Sequence, residues 1–73
     1  VVIDAGHGGK DPGTLGKYVK EKEIALKVAL EVGKTIKKNF PEVKVYYTRT
    51  TDKFVDLHER AAIANRNRAD LFI

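Results

Sequence analysis

Val1-Val2-Ile3-Asp4-Ala5-Gly6-His7-Gly8-Gly9-Lys10-Asp11-Pro12-Gly13 opens the chain, and it changes character within a few residues. Val1-Val2-Ile3 is a β-branched apolar run, which fits a strand buried on both faces. Glycine and proline then recur at Gly6, Gly8, Gly9, Pro12, Gly13 and Gly16, so residues 6–20 read as a loop. The loop carries a single histidine, His7. Imidazole is the commonest side-chain ligand for transition metals, and glycine lets backbone turn tightly and approach closely. A strand ending in such a loop is the usual start of an α/β unit.

The next fifty residues support an α/β unit. From Glu21 to Asn39 apolar residues recur at spacings of three and four (25, 28, 29, 32, 36), which predicts an amphipathic helix. Glu21 and Glu23 in its first turn and Lys37 and Lys38 in its last suit the helix dipole. Pro41 prevents continuation, and Gly33 is a mild weakness inside. Val43–Thr48 reads as a second strand, with Lys44 between Val43 and Val45 suggesting a half-exposed edge. Asp56-Leu57-His58-Glu59 matches a capping box and starts a second helix to about Arg66, with Leu57, Ala61 and Ala64 on one face. Ala69–Ile73 opens a third strand.

The order β-α-β-α-β without hairpin signals predicts an α/β fold, a parallel three-layer sandwich fragment. Strand order 2-1-3 would make the end of the first strand and the end of the third neighbours. Ligands of open α/β sheets gather at carboxyl ends of strands, and His7 lies there.

Bulk properties narrow the function. At 73 residues the chain allows one small domain, burying only about 60% of its unfolded surface. It begins at Val1, has no methionine and stops in an apolar run, so a piece of a longer protein is expected. Cysteine is absent, which excludes disulfide frameworks and thiolate metal sites. No run approaches the roughly 18 apolar residues of a membrane span, and no signal peptide is visible. Net charge is +4, but the lysines are spread along the chain. Without a recognition motif or basic-aromatic stripe, a nucleic-acid partner is not expected.

A catalytic zinc site takes three protein ligands and a water. The candidates are His7, His58 and the carboxylates. Glu21 begins the helix that leaves the His7 loop, and the 13 intervening residues can fold its carboxylate back onto His7. The alternative is a glycine loop cradling phosphate at the helix N-terminus. Gly8-Gly9-Lys10 lacks the Walker spacing and its following Ser/Thr, and Glu21 and Glu23 would repel the anion.

Residues 3–13 resemble the opening motif of the zinc-dependent N-acetylmuramoyl-L-alanine amidases, bacterial cell-wall hydrolases of the type-3 amidase family. Further matches come in the family's order: Glu21-Lys22-Glu23-Ile24-Ala25-Leu26, Thr48-Arg49-Thr50-Thr51-Asp52, Leu57-His58-Glu59-Arg60, Ala64-Asn65 and Ala69-Asp70-Leu71-Phe72-Ile73. The resemblance covers essentially all of residues 1–73, which are expected to form an incomplete N-terminal portion of an amidase catalytic domain. It implies Zn2+ as cofactor, with His7 and Glu21 as metal ligands. It implies a third ligand in a Ser-x-His-x-Asn motif after the Leu-Phe-Ile strand and a catalytic glutamate further on, so no catalytic base lies in this chain, and the chain alone is expected to be inactive. The implied reaction cuts the amide between N-acetylmuramic acid and L-alanine of the stem peptide of peptidoglycan, in the cell wall, periplasm or outside a bacterium. A monomer is expected. Ligating histidines usually donate their other N–H to a carboxylate or carbonyl, which makes Asp4 and Asp11 candidates to orient His7. Gly8 and Gly9 are expected to leave room for substrate. His58 is expected on the surface and Glu23 at the helix dipole. Arg49, Asp52 and Arg60 are expected to order loops, and Tyr18, Tyr46 and Tyr47 to pack rather than stack on sugar.

Overall fold

The computed structural model describes all of residues 1–73. Its elements are β1 (Val2–Ile3), α1 (Glu21–Asn39), β2 (Tyr46–Tyr47) and α2 (Leu57–Arg66). β1 and β2 are parallel, with Val2 opposite Tyr46 and Ile3 opposite Tyr47. The α/β class and both helices therefore agree with the sequence reading.

β2 is shorter than the expected 43–48. Its regular pairing needs partners along β1, and β1 turns into the glycine loop after Ile3. The backbone of Tyr46 still donates to Val1 O and that of Thr48 to Ile3 O, at 2.9 and 3.0 Å. Residues 69–73 likewise form no full strand. Phe72 makes a single parallel bridge to Val2, while Leu71, Phe72 and Ile73 stay about half exposed.

The core is small. Ile3 and Ala5 meet Ala29 of α1, and Leu26, Val32, Ile36, Val45 and Tyr47 pack around them. Only part of the wide α1 stripe is covered. Ile24 and Val28 are 50% and 55% exposed and line an apolar groove of about 530 Å³ that reaches Ile73. Leu57, expected to share a face of α2 with Ala61 and Ala64, is 82% exposed.

Gly33 proves to be more than a weakness in α1. A Cβ there would run into the Tyr47 hydroxyl and lie 2.6 Å from its Cζ. Helix and ring approach closely only because the side chain is missing. Gly33→Ala should therefore lower the unfolding midpoint in urea. Alanine's helix preference of about 1 kcal/mol is outweighed by overpacking of about 1–3 kcal/mol.

α2 starts as its sequence implies, with Asp56 Oδ1 accepting from the Glu59 backbone at 2.7 Å. The return half of the capping box is not made. The Glu59 carboxylate pairs with Arg66 at 3.2 Å instead.

Candidate metal centre

His7 lies just past the end of β1, in the left-handed backbone region at φ 63°. Behind it Gly8 N donates to Asp11 O at 2.7 Å and Asp11 N to Gly8 O at 2.9 Å. This tight turn brings the Asp11 carboxylate back to the imidazole, with Oδ2 3.0 Å from Nδ1. The other Asp11 oxygen accepts from Gly13 N at 3.1 Å. Of the two orienting candidates, then, Asp11 reaches His7. Asp4 does not, because its carboxylate is taken by Arg60 and by the Thr48 hydroxyl.

On the opposite side of the ring Nε2 lies 3.2 Å from Glu21 Oε2. Glu21 is aimed by its second oxygen, which accepts from Thr14 N at 2.8 Å. The loop and helix start are closed on each other, since Glu21 N donates to Thr14 O and Lys22 N to Pro12 O. Those two donors are thereby spent, and a carboxylate stands at the helix start. Both facts speak against the phosphate-cradle alternative.

The electrostatics of the pair are mutual. The Asp11 hydrogen bond raises the His7 pKa against some desolvation, and the Glu21 charge adds to the rise. Asp11 is held below the usual carboxylate range chiefly by His7 and then by Gly13 N. Glu21 is lowered chiefly by its hydrogen bonding to Thr14, with His7 adding.

The donors fit zinc. Bond lengths of about 2.0–2.2 Å at a tetrahedral angle put two such ligands about 3.3–3.6 Å apart, and Nε2 and Oε2 stand close to the short end of that range at 3.2 Å. Asp11 on Nδ1 fixes the tautomer that leaves Nε2 its lone pair. The pair is only part of a set, since no three His, Cys, Asp or Glu side chains are arranged to hold a metal ion together.

Gly13 is a site residue that the sequence reading does not single out. A Cβ on it would meet Glu21 Oε1 at 2.7 Å and His7 Cδ2 at 2.8 Å. Gly8 and Gly9 let residues 49–54 approach the loop closely. A Cβ on Gly8 would strike Lys53 O and come within 2.7 Å of Arg49 Nε, and one on Gly9 would meet Phe54 N at 2.7 Å.

Three cations grip the loop, as expected for Arg49 and Arg60. Arg60 donates to Val55 O, Ala5 O and His7 O at 2.8–2.9 Å and pairs with Asp4. Arg49 donates to Ala5 O, Gly6 O, Lys22 O and Thr51 O at 2.7–2.9 Å. Its pKa is lowered by burial, with the Arg60 charge adding. Lys22 donates to Gly9 O at 3.1 Å and Asp52 at 2.7 Å, while Gly9 N donates to Asp52 at 2.7 Å. The sequence reading gives Lys22 no such place. Its signal is positional, for it falls on the inward stripe of α1 three residues before Ala25 and seven before Ala29. A charge on a buried face needs a partner.

Lys22, and then Gly9 N, holds the Asp52 carboxyl below its ordinary pKa. A lowered carboxylate stabilises the fold fully above its unfolded pKa, about 3.9, and that contribution is lost as pH falls through the lower folded value. Asp52→Asn should thus lower the urea midpoint at neutral pH, and the gap to the parent should narrow as the pH falls below the unfolded value of about 3.9.

His58 is exposed and borders a cleft of about 570 Å³ that also touches His7, Asp11 and Phe54. Glu23 stays at the helix start, accepting from Lys20 N at 3.4 Å. Tyr18 is 86% exposed, with Lys17 Nζ 5.3 Å from its ring centroid. No helix is long and apolar enough to cross a membrane.

Comparison with known proteins agrees with this geometry. The family profile described as N-acetylmuramoyl-L-alanine amidase matches residues 1–73. The chain is 43% identical to N-acetylmuramoyl-L-alanine amidase AmiC of Escherichia coli O6:H1, covering all of this chain and 18% of that protein. It is 48% identical to the endolysin of Bacillus phage SPP1, covering all of this chain and 27% of that one. Among solved structures, the catalytic domain of the amidase CwlV from Bacillus (Paenibacillus) polymyxa var. colistinus superposes with a TM-score of 0.89 at 41% identity, over 97% of this chain and 40% of that one. An N-acetylmuramoyl-L-alanine amidase from Clostridium difficile 630 gives 0.91 at 36% identity, over 97% and 39%. The chain thus spans less than a third of these two curated relatives and about two fifths of the solved chains. With a match that runs from the first residue to the last, the chain belongs to the N-acetylmuramoyl-L-alanine amidase family.

Proposed function

We propose that this chain supplies half of the zinc site of a peptidoglycan hydrolase that cuts the amide between N-acetylmuramic acid and L-alanine of the stem peptide. The observation that carries this is the His7 Nε2–Glu21 Oε2 spacing of 3.2 Å, with each partner aimed by a second hydrogen bond. His7 and Glu21 would hold the ion, which when bound polarises a carbonyl and lowers the pKa of a water toward 7. Asp11 keeps the imidazole in the ligating tautomer. Thr14 N holds one Glu21 oxygen so that the other faces the ring. The cleft bordered by His7, Phe54 and His58 gives a substrate access to the His7 side of the site. The remaining ligand and the general base would come from outside these 73 residues. The reaction belongs where peptidoglycan is, in the cell wall, periplasm or outside the bacterium.

We read residues 1–73 as the N-terminal part of a larger catalytic domain, a three-layer sandwich with strand order 2-1-3. Val2 N and Asp4 N donate to Leu71 O and Ile73 O, and Ile73 N returns to Val2 O. Val1 and Ile3, the alternate residues, serve β2. Ile3 packs on α1, while its neighbour Asp4 reaches Arg60 of α2, which supports helices on the two faces. The uncovered apolar groove along α1 supports a larger domain.

The test is digestion of purified sacculi. The full-length protein should release free stem peptides in a zinc-dependent way, and residues 1–73 alone should release none. Sacculi left intact by the zinc-loaded full-length protein would sink the assignment.

A further inference from the structure

We propose that Arg49 is a positioning residue that sets the spacing of the two metal ligands, a role that rests on the zinc-site reading and deepens it. A single guanidinium nitrogen, Nη2, donates to Gly6 O at 2.7 Å and to Lys22 O at 2.9 Å. Gly6 immediately precedes His7, and Lys22 comes immediately after Glu21. Arg49 thus joins the strand-side flank of one ligand to the helix-side flank of the other. The bonds from Glu21 N to Thr14 O and from Lys22 N to Pro12 O fasten the helix only to the far end of the loop, five residues or more beyond His7. They leave the His7 side to Arg49, to Arg60 and to the Lys22 ammonium, which donates to Gly9 O at 3.1 Å.

Arg49 is itself fixed. It is 3% exposed, and its other donors are taken by Ala5 O and Thr51 O, at 2.9 Å each. Its stem passes Gly8 where a Cβ would come within 2.7 Å of Nε and 3.0 Å of Cδ. A planar guanidinium spreads its donors over a rigid fork, whereas lysine concentrates its three on one atom. Arg49→Lys therefore keeps the charge and loses the bridge. Metal–ligand distances tolerate only about 0.2 Å, so a looser loop is felt at the metal first.

The experiment uses the full-length protein, with His7→Asn as the control for the site and Val45→Ala as the control for general loosening of the core. Zinc affinity is read by competition with a chromophoric chelator, ligand geometry by the visible spectrum of the cobalt-substituted protein, and folding by circular dichroism. Arg49→Lys should bind zinc roughly 10–100-fold more weakly, the range for partners that orient ligands, and should shift the cobalt bands. Val45→Ala should leave the bands in place. Zinc binding by Arg49→Lys equal to the parent's with unchanged bands, or a matching loss in Val45→Ala, would overturn the inference. Wild-type protein whose zinc binding ignores His7→Asn would instead overturn the site reading beneath it. If Arg49→Lys does not fold, nitrogen-15 NMR of the zinc-loaded wild type decides. Distinct, slowly exchanging Nη protons on Arg49 support the bridge, and one rotationally averaged signal refutes it.

Discussion

Arg60→Ala is expected to remove about half of the fold's stability. The substitution strips donors from Val55 O, Ala5 O and His7 O and leaves the Asp4 carboxylate without its cation. Both members of the pair are largely buried, with side-chain exposures of 7% and 21%. Removing one partner of a buried ion pair costs about 3–5 kcal/mol. A domain of this length has about 4–11 kcal/mol in total, so about half of the margin goes. Urea denaturation monitored by circular dichroism would read this as a midpoint moved about halfway to zero denaturant. Arg60→Lys should fall between, because it keeps a cation for Asp4 but cannot span the carbonyls of Ala5 and His7 together. A midpoint within experimental error of the parent's for Arg60→Ala would show that the grip on the loop is dispensable.

His7→Asn in the full-length protein should leave the fold intact and remove zinc binding. Asparagine tolerates the left-handed backbone found at φ 63°, so the change tests the imidazole and little else. The loss should exceed the roughly 10–100-fold drop expected when an orienting partner of a ligand is removed. Asp11→Asn supplies that smaller drop as an internal scale, because it weakens the hold on Nδ1 without touching Nε2. Chelator competition on the three proteins gives the ranking directly. Equal zinc affinity in the parent and His7→Asn would refute the assignment of His7 as a ligand.

Several elements are legible in the sequence because their causes are local. The three-and-four spacing from Ala25 to Ile36, closed by Pro41, locates α1 at its observed bounds. Asp56 announces the start of α2 through a bond to a residue three positions away. The His7–Glu21 pair comes from the family resemblance. The sequence order alone allows it and leaves the phosphate reading open. Arg49, Asp52 and Arg60 are legible as loop-ordering residues, but their partners are not. The acceptors of the two arginines are mostly backbone carbonyls, several of them 43 to 55 positions away, and a carbonyl has no residue type to recognise. The same blindness explains the glycines. Gly8 and Gly9 are kept small by residues 49–54, Gly13 by the His7–Glu21 pair and Gly33 by Tyr47. Which neighbour fills the missing side chain is a tertiary fact. β2 is short because pairing depends on the partner strand as well as on its own alternation.

The grip of Arg49 and Arg60 on residues 5–7 also sets an order of events in time. The ribosome makes the metal loop first, yet the side chains that fix its shape lie more than forty residues later. Contacts at such separation form late, because the intervening chain must be closed before they contribute. The short-range bonds of Asp11 to His7 and of Thr14 to Glu21 can form early, but the hold on residues 5–7 is added only when Arg49 and Arg60 arrive. On the proposed zinc reading, the ion would meet its ligands at their final spacing only once these later segments are in place.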